Sequence, residues 1–181
     1  MQLVIAEKPS VAQTIAKVLG AAERKDGYVQ GNGYIVSWCV GHLAALVNPE
    51  SYDDKYKAWS FETLPIIPET WKFGILPLTK KQFYTLKELM FRSDVDELVC
   101  ATDAGREGEA IFRYVYNLVG CKKPFKRLWT SSLEESAIRD GFSNLKDGHE
   151  YDNLYEAGLC RARADWLVGM NGTRLFSVRY N

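Results

Sequence analysis

Short apolar runs that end in acids and then give way to helical stripes recur along the chain. The clearest is Leu98-Val99-Cys100-Ala101, which runs into Thr102-Asp103-Ala104-Gly105-Arg106-Glu107-Gly108-Glu109. Ile111, Phe112, Val115, Leu118 and Val119 then repeat at helical spacing until Gly120. This pattern predicts an interior strand of a parallel sheet, a tight turn and a helix. Leu3-Val4-Ile5-Ala6 repeats the plan: it ends in Glu7-Lys8-Pro9-Ser10, and a stripe of Val11, Ala12, Ile15, Ala16, Val18 and Leu19 leads to Gly20, suited to a left-handed cap. If the two strands are neighbours, Glu7 and Asp103 stand side by side at the carboxyl edge of the sheet, where open α/β folds bind ligands.

The remaining segments fill in around these units. Residues 21–33 are polar and glycine-rich and read as a loop or hairpin turn before the β-branched and aromatic strand Tyr34 to Val40. His42 follows that strand directly; it could orient a phosphate, or simply be a hydrogen-bonded surface histidine. Pro49 to Pro77 holds no lasting period and predicts an extended excursion packed on the body, with a strand regained at Phe73 to Leu76. Its Trp and Phe residues suit either a satellite core or base stacking. Gln82 to Arg92 reads as an amphipathic helix through Phe83, Leu86, Leu89 and Met90.

Beyond Gly120, Lys122, Lys123, Lys126 and Arg127 form a local positive cluster, and a strand fits Lys126 to Trp129. Ser132 and Glu135 have the spacing of a capping box, with Leu133, Ala137, Ile138 and Phe142 turned inward along the helix that follows. Lys146 to His149 reads as a boundary. Leu154 to Phe176 then predicts a long helix or helix pair carrying Arg161, Arg163 and Arg174; arginines projecting from one face suit phosphate contacts, or simply a solvated face.

Composition narrows the possibilities. The 181 residues, 46% of them hydrophobic, suffice for one domain with a core and part of a second. No apolar run nears the roughly 20 residues that span a bilayer, and Glu7 and Lys8 interrupt any signal-like pattern, so the expectation is a cytoplasmic protein with no membrane partner. The four cysteines are widely spaced, without a C-x-x-C pair; three lie in apolar runs or helical stretches where a small buried hydrophobe would do, which favours a structural role. Lys plus Arg and Asp plus Glu both total 23, which excludes a global basic field, so any nucleic-acid contact must be local.

The acids at the predicted edge have a definite chemistry. Asp103 and Glu107, with Glu7 from the other strand, could hold Mg²⁺ through one or two carboxylates plus water and phosphate oxygens. Such a site serves phosphoryl transfer, with an unligated acid handling the proton of the leaving oxygen. Glu109 points elsewhere on the helix. The same acids could instead merely complement a helix dipole.

Ala6-Glu7-Lys8-Pro9-Ser10, Gly41-His42-Leu43, Thr102 to Glu109, and Arg163 to Asn171 with Thr173-Arg174 together resemble, in family order, the amino-terminal part of bacterial topoisomerase III, a branch of the type IA DNA topoisomerases. The resemblance implies a Toprim domain over residues 1–148, a Rossmann-like parallel sheet flanked by helices. Residues 149–181 would begin the helical domain that contacts single-stranded DNA. It also implies Glu7 as general acid, Lys8 on the scissile phosphate, and Mg²⁺ held by Asp103, Glu107 and Glu7. Arg106 would support the acidic turn, and Lys8, His42, Arg106, Arg163 and Arg174 would face DNA. The implied partners are single-stranded DNA and the remaining domains of a longer, nucleoid-associated enzyme, with a helicase as a candidate.

Two departures stand out. The family pattern has aspartate where this chain has Gly105, which predicts weak Mg²⁺ binding. The family's catalytic tyrosine falls beyond residue 181, so the chain alone is expected neither to cleave nor to relax DNA. The alternative is a free-standing Toprim module, a metal-dependent nuclease or nucleic-acid binder, which leaves the match from Arg161 to Arg174 unexplained.

Overall fold

The computed structural model describes residues 1–180. The elements run β1 (Gln2–Ala6), α1 (Pro9–Leu19), β2 (Glu23–Lys25), β3 (Tyr28–Gly31), β4 (Tyr34–Trp38), β5 (Ala44–Leu46), β6 (Phe73–Ile75), α2 (Lys80–Met90), β7 (Glu97–Ala101), α3 (Arg106–Val119), β8 (Phe125–Arg127), α4 (Glu135–Ser143), β9 (Lys146–Asp147) and α5 (Asp152–Tyr180). Seven strands form one sheet in the order β2-β3-β4-β1-β7-β8-β9, and β5 pairs with β6 in a separate ribbon. The four inner strands are parallel, and the pairings beyond them on both sides are antiparallel. The expected parallel sheet is therefore a mostly parallel one with antiparallel margins.

Alternation along the inner strands divides the core in two. Leu3, Ile5, Ile35, Leu98 and Cys100 meet α2 and α3 on one face. Val4, Ala6, Val36, Val99 and Ala101 meet α1 and α4 on the other. Successive strand residues point to opposite faces, so a run apolar at every position buries both. β1 and β7 are neighbours in register, with Ala6 opposite Ala101. The chain leaving β1 crosses to β4 on one side, and the chain leaving β7 crosses to β8 on the other. The strand order therefore reverses between β1 and β7, which opens a crevice at their carboxyl ends.

Both helices that follow these strands end as the sequence predicts: Gly20 and Gly120 adopt left-handed cap geometry at φ 75° and 71°. The glycine-rich stretch 21–33 folds into β2 and β3, and the turn into β4 carries Asn32 and Gly33 at positive φ, the pair a two-residue hairpin requires. The excursion forms three short 3₁₀ turns, Pro49–Ser51, Asp54–Lys57 and Phe61–Thr63. It is tied to α5: Trp166 Nε1 donates to Val47 O at 2.9 Å, and Asn171 bonds both backbone groups of Ile66. The packing reading of its aromatics is thus the structural one for Trp71, which meets Trp166 edge-on at 5.5 Å.

Several local expectations fail for identifiable reasons. Helix α4 starts at Glu135, with Glu134 as its flanking residue and no side-chain cap, because Ser132 Oγ instead accepts from the Glu134 amide within the preceding loop. The capping box is absent and Leu133 is exposed. β8 sits one residue earlier than predicted, from Phe125. The break at Lys146 to His149 contributes β9, which pairs with β8 before a 3₁₀ turn at Gly148–Tyr151 leads into the single helix α5.

Candidate functional site

Glu7 follows β1, His42 follows β4 and Asp103 follows β7, so three adjacent strands deliver the first carboxylate or imidazole beyond each to one edge. The side chain of Glu7 is 12% exposed, and its Oε2 accepts from the backbone amide of Asp103 at 3.3 Å. The crevice thus joins the two acid-bearing turns directly. Lys8 is 60% exposed, with its Nζ 3.9 Å from Glu7 Oε1, near enough to pair yet free to swing to an anion. Gly41 turns the chain at φ 78° and donates to Glu7 O at 3.4 Å, which brings His42 to the rim. His42 Nε2 lies 3.8 Å from Glu107 Oε2, and Arg106 Nε lies 3.8 Å from Glu107 Oε1.

The turn after β7 is held from beneath. Thr102 Oγ1 donates to Gly108 O at 2.7 Å, drawing the first turn of α3 down onto the strand end. A Cβ on Gly108 would lie 2.1 Å from Asp103 O, so only glycine permits this approach. Arg127, fully buried on β8, reaches under the turn: Nη1 approaches the carbonyls of Thr102, Leu128 and Cys100 at 2.7, 2.9 and 3.0 Å, and Nη2 donates to Asp103 O at 2.6 Å. Glu109, also fully buried, pairs with Arg127 Nε at 3.0 Å and with Arg113 Nε at 2.9 Å. Arg113 continues to Asp152 on α5. Sequence reasoning missed this network because Arg127 sits in a run of surface cations. Its alternation with buried Phe125 around exposed-side Lys126 was the available signal.

The arginines of α5 do not share one face. Arg161 and Arg163 are two residues apart, about 200° around a helix. Arg161 pairs with Asp165 at 3.4 Å, and Arg163 lies over the Trp71 ring at 5.6 Å. Arg174 is buried, donating to Glu50 Oε1 and Tyr56 O at 2.6 Å each beneath Trp59. It clamps the excursion to α5 and stands apart from the acid edge. A cavity of about 380 Å³ opens beside that edge, with His42, Glu107, Tyr114, Arg161, Asp165 and Trp166 in its walls. Burial pushes the Tyr114 hydroxyl up to about 12, so it enters the cavity neutral. Burial likewise raises the thiols of Cys39 and Cys100, as inert core cysteines require; Cys121 is also buried and Cys160 is exposed.

The donors at the edge are hard carboxylate oxygens, the type Mg²⁺ takes. They are spread out: among the described residues no three His, Cys, Asp or Glu side chains stand close enough to form a metal cage. Glu7 is turned to the Asp103 amide and Glu107 to His42 and Arg106. The set therefore fits the ion in its loosely held mode, one or two carboxylates with water and phosphate oxygens completing the shell. Gly105 has an extended backbone, φ 173°, and a Cβ there would meet nothing within 4 Å. Its lack of an acid is a difference of chemistry alone.

Comparison with known proteins bears on the family and the fold. The chain is 51% identical over 179 residues to DNA topoisomerase 3 of Bacillus cereus and 49% identical over 178 residues to that of Shouchella clausii. The matches take in 99% and 98% of this chain and 25% and 24% of those proteins, so it spans about a quarter of the length of the curated relatives it matches. Full-length topoisomerase I from Thermotoga maritima has the same fold over 92% of this chain and 24% of its own, with a TM-score of 0.60 at 22% identity. The Toprim domain model matches residues 2–133, and the chain belongs to the Toprim domain family.

Proposed function

We propose that this chain is the Toprim part of a longer type IA DNA topoisomerase that cleaves, passes and rejoins single DNA strands without ATP. One observation carries the reading: Glu7 and Asp103 are joined across the point where the strand order reverses, in a chain half identical to proteins named DNA topoisomerase 3. In this reading the domain ends near residue 148, and 149–181 begin the helical part that meets single-stranded DNA. A nucleoid-associated location in the cytoplasm goes with it, and a helicase partner is an expectation of the resemblance alone.

The division of labour follows from the two turns. A tyrosine from elsewhere in the longer protein gives its hydroxyl proton to solvent and forms a bond to phosphorus while the bond from phosphorus to the 3′ oxygen breaks. Glu7 gives its proton to that oxygen and takes it back on resealing. The Asp103 amide holds one oxygen of Glu7, and the other, 3.9 Å from Lys8 Nζ, is the one this reading gives to the leaving oxygen. Lys8 pairs with the scissile phosphate, and His42 and Arg106 add donors along the same edge. Arg163, half-buried over the Trp71 ring, is the α5 cation this reading assigns to DNA. Asp103 and Glu107 would hold Mg²⁺, which when bound neutralises charge on the phosphate.

Relaxation of a negatively supercoiled plasmid tests the proposal. The full-length protein is expected to relax it with Mg²⁺, and the 181-residue chain alone is expected to do nothing. Relaxation by the chain alone would refute the reading. Nicking of single-stranded DNA by the chain alone would favour a free-standing nuclease instead.

A further inference from the structure

The acid turn after β7 is floored by groups that take no part in the chemistry proposed above. Arg127 is fully buried and spends its guanidinium on the carbonyls of Cys100, Thr102, Asp103 and Leu128. Cys100 lies near the end of β7, Leu128 just past β8, and Thr102 and Asp103 in the turn itself, so a single planar cation fixes where the backbone of Asp103 lies. A buried guanidinium needs a counter-charge, and Glu109 supplies it from the first turn of α3 while being fully buried itself. Lysine could not replace this arrangement, since a point charge cannot bridge a fan of carbonyls with fixed fork geometry. A carboxylate and two arginines are buried together beneath the turn, against four backbone carbonyls.

We infer that Arg127 and Glu109 are positioning residues that preset Asp103 for Mg²⁺, and that this stiffness stands in for the acid absent at Gly105. The inference rests on the proposed metal role of Asp103. With few carboxylates to draw on, a site gains affinity by having its ligand already in place, because less conformational freedom is lost on binding. The groups that orient a metal ligand typically change affinity about 10- to 100-fold when removed.

The test uses the full-length protein with magnesium chloride as the probe. Calorimetric Mg²⁺ affinity and amide exchange at Asp103 and Ala104 are measured for wild type, Arg127→Lys and Glu109→Gln. Asn171→Ala serves as a destabilised control, since it removes the bonds between α5 and Ile66 far along the chain from the acid turn. Each is measured the same number of degrees below its own Tm. Arg127→Lys and Glu109→Gln are expected to weaken Mg²⁺ at least about tenfold and to speed exchange at the turn, while Asn171→Ala leaves both within twofold of wild type. Equal losses in all three variants, or faster exchange with unchanged affinity, would overturn the inference. If Arg127→Lys does not fold, Glu109→Gln decides it. Absence of Mg²⁺ binding in the wild type would sink the metal reading, whereas unchanged exchange at Asp103 would sink the positioning role by itself.

Discussion

After β1 the chain turns into α1 through Glu7 and Lys8; after β7 it turns into α3 through Asp103, Ala104 and Gly105. Both turns leave buried parallel strands at the same edge, and both bring an acid to the crevice. The first is held lightly. Lys8 is solvent-exposed, the side chain of Glu7 has the Asp103 amide and Lys8 as neighbours, and no side chain caps α1. The second is clamped by Arg127, Glu109, Thr102 and the bare backbone of Gly108. Groups that follow a moving phosphate and exchange a proton gain from freedom, whereas an oxygen that must meet a metal gains from being fixed.

Substitutions on the two sides are expected to differ in kind. Arg127→Met takes from Glu109 one of its two arginines and leaves four carbonyls without their donor, and is expected to cost about 3–5 kcal/mol in urea unfolding. Lys8→Met at the open turn is expected to stay within about 0.5 kcal/mol. A loss of several kcal/mol in both would erase the distinction. Gly108→Ala drives a methyl into the Asp103 carbonyl and should cost about 3 kcal/mol, read as a fall in Tm. Gly105→Asp lies above the clamp in open space, so its stability should change by less than about 0.5 kcal/mol while Mg²⁺ binding tightens; a large drop in Tm would mean the turn is not free there.

The smallest effect concerns pH. Burial works against the charged form of Asp152, but hydrogen bonds from Arg113 and His149 outweigh it and hold its carboxyl below 3.8. A carboxyl lowered by folding adds stability that is present above its unfolded value and lost as the pH falls through the folded one. Stability should therefore decline below about pH 4, and Asp152→Asn should flatten that part of the profile in acid titrations followed by circular dichroism.

The sequence revealed the acid-bearing edge more fully than its support. Apolar runs ending at Glu7 and Asp103, with helical stripes beyond, located both turns and their adjacency because burial on two faces leaves an unbroken apolar signature. β2 and β9 carried no such signature: Glu23 to Lys25 and Lys146 to Asp147 are exposed, and only pairing with a neighbour makes them strands. Arg127 was hidden for the opposite reason. Its core position is set by charge and carbonyls from distant segments, and in sequence it is one more cation after Lys122, Lys123 and Lys126. Arg174 misled in the same way, since the Glu50 and Tyr56 partners that bury it lie more than a hundred residues earlier.

The most direct measurement is single-strand DNA cleavage by the full-length protein, titrated with Mg²⁺, for Glu7→Gln and Asp103→Asn. Glu7→Gln is expected to lose cleavage at every Mg²⁺ concentration, as a missing proton donor would. Asp103→Asn is expected to need more Mg²⁺ and then recover toward the wild-type rate. If both variants respond to Mg²⁺ alike, the open and the clamped turn do not divide the chemistry, and the account fails.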